Sequence, residues 1–139
     1  MHLRVHYVSP KGAAEMVAEA ISATVNTVKE ALPPAYMPEG IALMFLGCEG
    51  TKADKTTMEF IGTLTAKRVK YAALYCCNAK KSDAAIQQMK DALVNSGIKV
   101  LDSTFVAPAK ALFGGKNPSE ADLQAAAQWA QDCMKQVSE

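Results

Sequence analysis

Apolar runs of strand length alternate with helical patterns along most of the chain. The four clearest runs occupy residues 3–8, 41–46, 69–77 and 98–106. The helical patterns that follow them begin at residues 15, 54, 82 and 117 and extend to about residues 32, 66, 96 and 137. A continuously apolar strand is typical of a parallel sheet with helices on both faces, because neither face of such a strand meets water. The alternation therefore predicts an α/β fold.

Residues with strong positional preferences mark the helix ends. Ser82 is suited to cap the third helix, and Gly97 follows that helix where a left-handed residue commonly ends one. Asn117 and Pro118 suit an N-cap and a first helical position, and Glu120 stands three residues after Asn117. We expect the final helix to begin at this point.

The segment between the first helix and the second apolar run contains Pro33, Pro34 and Pro38. Proline has no N–H to donate and is rare in central strands, so a strand between residues 31 and 40 should be short or missing and lie at an edge. With the first strand central and right-handed crossovers, the natural strand order is 2-1-3-4-5. The prediction is a three-layer, doubly wound parallel sheet that forms one domain over residues 1–139.

A tight stretch joins the first strand to the first helix, and it has the features of an anion site. Gly12 permits unusual backbone dihedrals, and Lys11 brings a positive charge. The N–H groups at a helix start converge on one point, which the helix dipole makes positive. In a doubly wound sheet that point faces the ligand crevice, outside the carboxyl ends of the strands. The candidate residues are Ser9, Pro10, Lys11, Gly12, Ala13 and Ala14.

Composition narrows the function classes. The net charge is +1 and no basic block occurs, so nothing indicates nucleic-acid binding. No apolar run is long enough to span a membrane and the N-terminus lacks a signal-peptide pattern, so we expect a cytoplasmic protein. The four cysteines have apolar neighbours and no metal-ligand spacing, which predicts reduced, buried thiols without metal. Cys48 should be the most reactive of them, because it alone falls in a predicted loop.

Four stretches resemble the flavodoxin family, and together they cover nearly the whole chain. They are YVSPKGAAEMVAEAI, IALMFLGCEG followed by MEFIGTL, KYAALYCCNA, and the tail FVAPAKALFGGKNPSEADLQAAAQWA. The resemblance implies one FMN, with its phosphate at residues 9–14 and its ring between the loops after the third and fourth strands. It also implies an electron carrier with a redox partner protein. The implied ring-side residues are Gly47, Cys48, Glu49, Gly50, Cys77, Asn78 and Ala79.

The sequence departs from the family's pattern at the cofactor loops. The usual phosphate loop is Ser/Thr-x-Thr-Gly-x-Thr, whereas Lys11 and Ala14 stand where two of the hydroxyls belong. Pro10 removes one backbone donor as well. No Trp or Tyr lies in residues 47–54 or 78–83, although stacking on such rings commonly supplies much of a ligand's affinity. These departures predict that FMN binds more weakly here than in a typical flavodoxin.

Three function classes remain open. The first is an FMN electron carrier, in which the flavin supplies the chemistry. The second is a cofactor-free flavodoxin-like protein that serves as a binding or accessory module. The third is an enzyme that uses the same crevice, but the sequence offers no Ser-His-Asp set, no paired carboxylates and no other catalytic constellation. We favour the classes in that order.

Overall fold

Six strands and four helices form the part of the chain that the computed structural model describes, residues 1–109 and 118–138. In chain order they are β1 (Leu3–Tyr7), α1 (Ala13–Val25), β2 (Lys29–Ala31), β3 (Ile41–Glu49), α2 (Lys55–Gly62), β4 (Val69–Cys77), α3 (Ala84–Asn95), β5 (Lys99–Val100), β6 (Phe105–Ala107) and α4 (Glu120–Ser138). The strands pair in parallel in the order β2-β1-β3-β4-β5, and β6 also pairs with β4. The predicted three-layer parallel fold and its strand order are confirmed.

Two apolar clusters lie on opposite faces of the sheet. One joins α1 and α4 to the face that carries Val5 and Phe45, and the other joins α2 and α3 to the face that carries Met44 and Leu74. Successive residues of a strand point to opposite faces, so a central strand covered on both sides is apolar throughout. Trp129 of α4 packs edge-on against Phe45, with ring centroids 5.6 Å apart.

Strand β3 is longer than the sequence indicated. Its apolar run ends at Leu46, but parallel pairing with β4 continues through Gly47, Cys48 and Glu49. The prediction that these three residues form a loop is wrong, because the neighbouring strand offers pairing partners as far as Glu49. The turn begins at Gly50, whose φ of 92° favours glycine.

Helix α1 is shorter than predicted. It ends at Val25, and Asn26 follows in the left-handed conformation with φ 57° and ψ 55°. The helical pattern continued to about residue 32, but Lys29 instead pairs with Val5 in the edge strand β2. That strand has three residues, so it is short as expected, although it begins before the predicted segment. Pairing with β1 here outweighs the weak helical propensity of the local sequence.

Helix α2 has a side-chain N-cap, whereas the N-cap residue of α3 makes no side-chain capping hydrogen bond. Asp54 caps α2, and its carboxylate accepts a hydrogen bond of 2.9 Å from the Thr57 N–H. The helix then ends at Gly62, earlier than predicted. Gly97 follows α3 with φ 82°, as the sequence indicated, but Asp83 rather than Ser82 occupies the N-cap position.

Helix α4 begins with a reciprocal cap. The Ser119 N–H donates to the Asp122 carboxylate at 2.9 Å, and the Asp122 N–H donates back to the Ser119 hydroxyl at 3.2 Å. The helix therefore starts at Glu120, and the prediction that Pro118 holds its first position is wrong. The predicted cap Asn117 lies outside the described residues. Neither α4 nor another helix of the described ranges is long and apolar enough to cross a membrane.

The predicted last strand, residues 98–106, is two short strands. β5 pairs with Tyr71 and Ala72 near the start of β4, whereas β6 pairs with the last three residues of β4. Both pieces lie along the same strand, so the break leaves the strand order unchanged. Residues 110–117, between β6 and α4, lie outside the described residues.

Gly47 makes room for a tyrosine ring on the neighbouring strand. A Cβ atom at Gly47 would lie 2.0 Å from Cζ of Tyr75, its register partner in β4. The Tyr75 ring is completely buried, and its hydroxyl donates a hydrogen bond of 2.9 Å to the Ala14 carbonyl. A ring held in this way has no space to retreat, so only glycine fits at position 47.

We expect Gly47→Ala to lower the free energy of unfolding by about 3 kcal/mol, because the new methyl group must displace a buried, hydrogen-bonded ring. Urea unfolding measures this. Gly62→Ala is the matched control, since a Cβ there meets nothing within 4 Å, and it should change stability by less than about 1 kcal/mol. Equal effects of the two substitutions would contradict the close approach of Tyr75 to β3.

His6 is a buried histidine of the central strand β1. It is 1% exposed, its Nδ1 lies 3.2 Å from the Glu30 carbonyl oxygen, and its ring centroid lies 5.3 Å from that of Phe60. Burial lowers the pKa of His6, and this outweighs the opposing effects of the Glu30 carbonyl and carboxylate. The folded state therefore disfavours protonation of this ring.

A lowered His6 pKa makes stability depend on pH. The unfolded chain takes up a proton at this histidine near pH 6.5, whereas the folded chain does so only at lower pH, so stability falls as the pH drops through this range. The slope attributable to His6 is at most about 1.4 kcal/mol per pH unit, the limit for a single proton. We expect His6→Phe to remove it in urea titrations from pH 7.5 to pH 5.5. The exposed His2, changed in the same way, is the control, and an unchanged slope in His6→Phe would contradict the assignment.

Candidate functional site

The stretch between β1 and α1 forms a tight loop at the carboxyl edge of the sheet. The Val8 N–H donates to the Gly47 carbonyl at 3.1 Å, which fixes the loop beside β3. Gly12 then takes φ 94° in the N-cap position, and α1 begins at Ala13. A positive φ of this size strains any residue with a Cβ, which explains the glycine. The N–H groups around the helix start therefore face the crevice above β1 and β3.

The carboxylate of Glu49 lies in this loop and accepts three hydrogen bonds from it. The Ser9 hydroxyl donates to Oε2 at 2.5 Å, and the Ala14 N–H donates to the same oxygen at 2.9 Å. The Lys11 N–H donates to Oε1 at 2.9 Å. Ser9 is itself held in place, because its Oγ accepts the Glu15 N–H at 2.9 Å. The loop thus binds an oxyanion, and that oxyanion belongs to the chain.

The loop residues divide into those that donate and those that support. Ser9, Lys11 and Ala14 are the donors, whereas the Gly12 N–H turns back to the Ser9 carbonyl at 3.4 Å. The side chains of Ala13 and Ala14 are buried in the core between α1 and the sheet. A hydroxyl at position 14 would therefore point into apolar packing rather than toward an anion. Pro10 is exposed.

A second polar group lies beside the loop, and its one signal in the sequence is an acidic residue in the first turn of the helix. The Tyr7 hydroxyl donates to the Glu15 carboxylate at 3.0 Å, and the Lys29 ammonium lies 3.1 Å from the same oxygen. The hydrogen bond from Lys29, followed by that from Tyr7, lowers the pKa of Glu15. Burial, followed by the Glu15 hydrogen bond, raises the pKa of Tyr7.

The loops after β3 and β4 are joined to each other. The Gly50 N–H donates to the Cys77 carbonyl at 2.9 Å, and the Asn78 amide donates to the Gly50 carbonyl at 3.3 Å. Asn78 also organises its own loop, since its side chain donates to the Ser82 carbonyl and accepts the Ser82 N–H, both at 2.8 Å. Asn78 is 6% exposed, while Ala79 beside it is exposed. Gly50, Cys77 and Asn78 are therefore hydrogen-bonded to one another at this edge, whereas the Glu49 side chain bonds to the loop between β1 and α1.

All four cysteines are buried and reduced. Cys48 lies inside β3 opposite Cys76 of β4, and burial raises the pKa of the Cys48 thiol to about 12. Burial also raises the pKa of Cys76, to about 11, although a hydrogen bond from Asn78 opposes the rise. The expectation that Cys48 is a reactive loop cysteine is therefore wrong. Among the residues that the structure describes, no three His, Cys, Asp or Glu side chains are grouped as a metal site.

Comparison of the fold with solved structures gives whole-chain matches. A flavodoxin from the domain Archaea superposes with a TM-score of 0.81 at 18% identity, over 100% of both chains. Flavodoxin 2 from Bacillus cereus has a TM-score of 0.73 at 14% identity, and the match covers 98% of this chain and 99% of that one. A flavodoxin from Streptococcus pneumoniae TIGR4 has a TM-score of 0.66 at 12% identity, with the same coverage.

The chain has a flavodoxin-like fold. No sequence family and no curated protein sequence matches it. The resemblance noted in the sequence is thus confirmed by architecture, over the full length of the chain. At these identities the likeness shows the fold, and the function of this flavodoxin-like protein has to be argued from its own loops.

Native thiols should react slowly, because a thiol must be both exposed and ionised to attack a reagent and these four are neither. We expect an aromatic disulfide reagent at pH 8 to label the native protein at least about a hundredfold more slowly than the urea-unfolded protein. Reaction with the unfolded protein should release four equivalents of the reagent's aromatic thiol, one for each cysteine. Rapid labelling of Cys48 in the native protein would contradict its position inside the sheet.

Proposed function

We propose that this chain is an electron-transfer protein of the flavodoxin type that binds FMN weakly and is not a catalyst in its own right. The observation that carries the proposal is the convergence of three donors, from Ser9, Lys11 and Ala14, on one oxyanion position. This position lies at the start of α1 and beside β3, where the winding of a doubly wound sheet reverses and ligands bind. The flavodoxins of known structure that share this fold suggest a flavin phosphate as the oxyanion.

The residues fit the two halves of FMN unequally. Two backbone N–H groups and one hydroxyl suit a phosphate in kind and in number, with the exposed Lys11 close in sequence to add charge. The ring would lie between Gly50 and the loop of Asn78 and Ala79. Neither loop offers an aromatic side chain for stacking, so the ring would be held weakly. When bound, the flavin would supply the redox chemistry, and the protein would supply binding and orientation.

The partner of such a carrier would be a redox protein with an acidic face. Lys11, Lys52, Lys80 and Lys81 are exposed on three loops at the same edge of the sheet, which is the edge where a flavin would be accessible. A cluster of one charge sign accelerates association with a partner of the opposite sign. We assign the protein to the cytoplasm, where its four reduced cysteines would stay reduced.

The second candidate is a cofactor-free flavodoxin-like binding or accessory module. Its support is the pair of hydrogen bonds that joins Gly50 to Cys77 and Asn78. A ring that entered between these loops would have to break both, and each broken bond costs about 1 kcal/mol. This candidate retains the fold as a docking unit and leaves the electron transfer to its partner.

FMN binding separates the two candidates. We expect the purified protein to be colourless and to quench added FMN fluorescence with a Kd of about 1 μM or weaker, because the loops lack aromatic contacts.

Two results would contradict the proposal. FMN that remains bound through purification would show that the lack of aromatic side chains in the loops does not weaken binding. Absence of saturable quenching at millimolar FMN would instead favour the cofactor-free module.

A further inference from the structure

Glu49 lacks a cationic partner among the residues that the structure describes. Its carboxylate forms no ion pair with Lys, Arg or His there, although it is only partly exposed. Its negative charge is met instead by the Ser9 hydroxyl and by the N–H groups of Lys11 and Ala14, at the positive end of the α1 dipole. This is the environment that a helix start provides for a free phosphate or carboxylate.

The position of Glu49 in the sheet explains how its side chain reaches the loop. It is the last residue of β3, two positions beyond Gly47, which pairs with Tyr7 at the end of β1. The side chain therefore projects from one strand over the loop that follows the adjacent strand. Pairing of Glu49 with Cys77 of β4 fixes its backbone, so few torsions must be ordered to place the carboxylate.

We propose that Glu49 is an internal anion that occupies the loop between β1 and α1 and must leave before a phosphate-bearing ligand can bind there. One set of three donors serves one oxyanion, and a second anion beside the first would meet its negative charge. The contact is therefore autoinhibitory. The occupancy of the loop stands on the observed hydrogen bonds, whereas the choice of FMN as the displaced ligand rests on the function proposed above.

This arrangement has a consequence for flavin selectivity. FMN differs from riboflavin only by its phosphate, and that phosphate gains nothing while Glu49 holds the donors. The wild-type protein should therefore bind the two flavins with similar affinity. Removing the carboxylate should free the loop and make the protein prefer FMN.

The first experiment uses inorganic phosphate and needs no flavin. Glu49→Ala should melt at a lower temperature than wild type, because three donors lose their partner. Phosphate at 50 mM should raise its melting temperature by about 3 °C or more relative to sodium chloride of equal ionic strength. Wild type should not respond in this way. Glu19→Ala is the matched control, since it removes the same charge from an exposed position on α1.

The second experiment measures FMN and riboflavin affinities for the same proteins. The ratio of the riboflavin Kd to the FMN Kd should be near one in wild type and in Glu19→Ala, and should rise at least about tenfold in Glu49→Ala. Glu49→Gln keeps the size of the side chain and loses its charge, so it should give an intermediate ratio. It also serves as the test variant for both experiments if Glu49→Ala does not fold.

The outcomes distinguish this inference from the proposed function. If folded Glu49 variants gain neither phosphate stabilisation nor FMN preference, the internal anion is not what closes the loop, and the inference is overturned. If phosphate stabilises Glu49→Ala but neither flavin binds to any variant, the inference stands and the FMN carrier is rejected. A wild-type protein that already prefers FMN by tenfold or more would overturn the inference while supporting the carrier.

Discussion

The buried hydroxyl of Tyr75 is the contact that connects the sheet to the candidate site. A hydroxyl in a dry core must have a partner, and the Ala14 carbonyl in the first turn of α1 provides it. The N–H of Ala14 donates to the Glu49 carboxylate. Gly47 leaves the space that the ring needs, and Glu49 lies two residues further along the same strand. The packing of the sheet and the geometry of the loop therefore depend on the same contacts.

These contacts join an anion-binding loop to a carboxylate of the same chain. An oxyanion loop at a helix start is a common way to bind phosphate, and here a tethered carboxylate fills it. Tethering gives the carboxylate a high effective concentration at the loop, so an external anion competes at a disadvantage. Under the proposed function, the affinity for a phosphate-bearing ligand would be a difference between two occupants rather than a property of the loop alone.

The fold and the loops carry different information about function. The chain superposes on flavodoxins over its whole length at 12–18% identity, because a covered parallel sheet requires an apolar pattern rather than particular residues. Cofactor recognition depends on a few side chains and N–H groups at the strand ends. Those positions carry Lys11, Ala14 and Glu49 here, and the balance between them decides what the crevice accepts.

The sequence by itself determined the fold and the order of the strands. Four apolar runs separated by helical patterns admit few topologies once crossovers are right-handed and prolines exclude a long second strand. The predicted ends of strands and helices were less reliable. Pairing with a neighbouring strand extends β3 beyond Leu46, and β2 takes the place of the predicted end of α1. Propensity is weak, and a sheet partner outweighs it.

Only the tertiary structure decided what fills the anion loop. Ser9 and Glu49 are 40 residues apart, and no local pattern shows that their side chains meet at 2.5 Å. The contact depends on β1 and β3 being neighbours in register, on the strand extending as far as Glu49, and on Gly12 turning the donors inward. Residue spacing records which groups are available along the chain, whereas the register of nonadjacent strands determines which of them share one position in space.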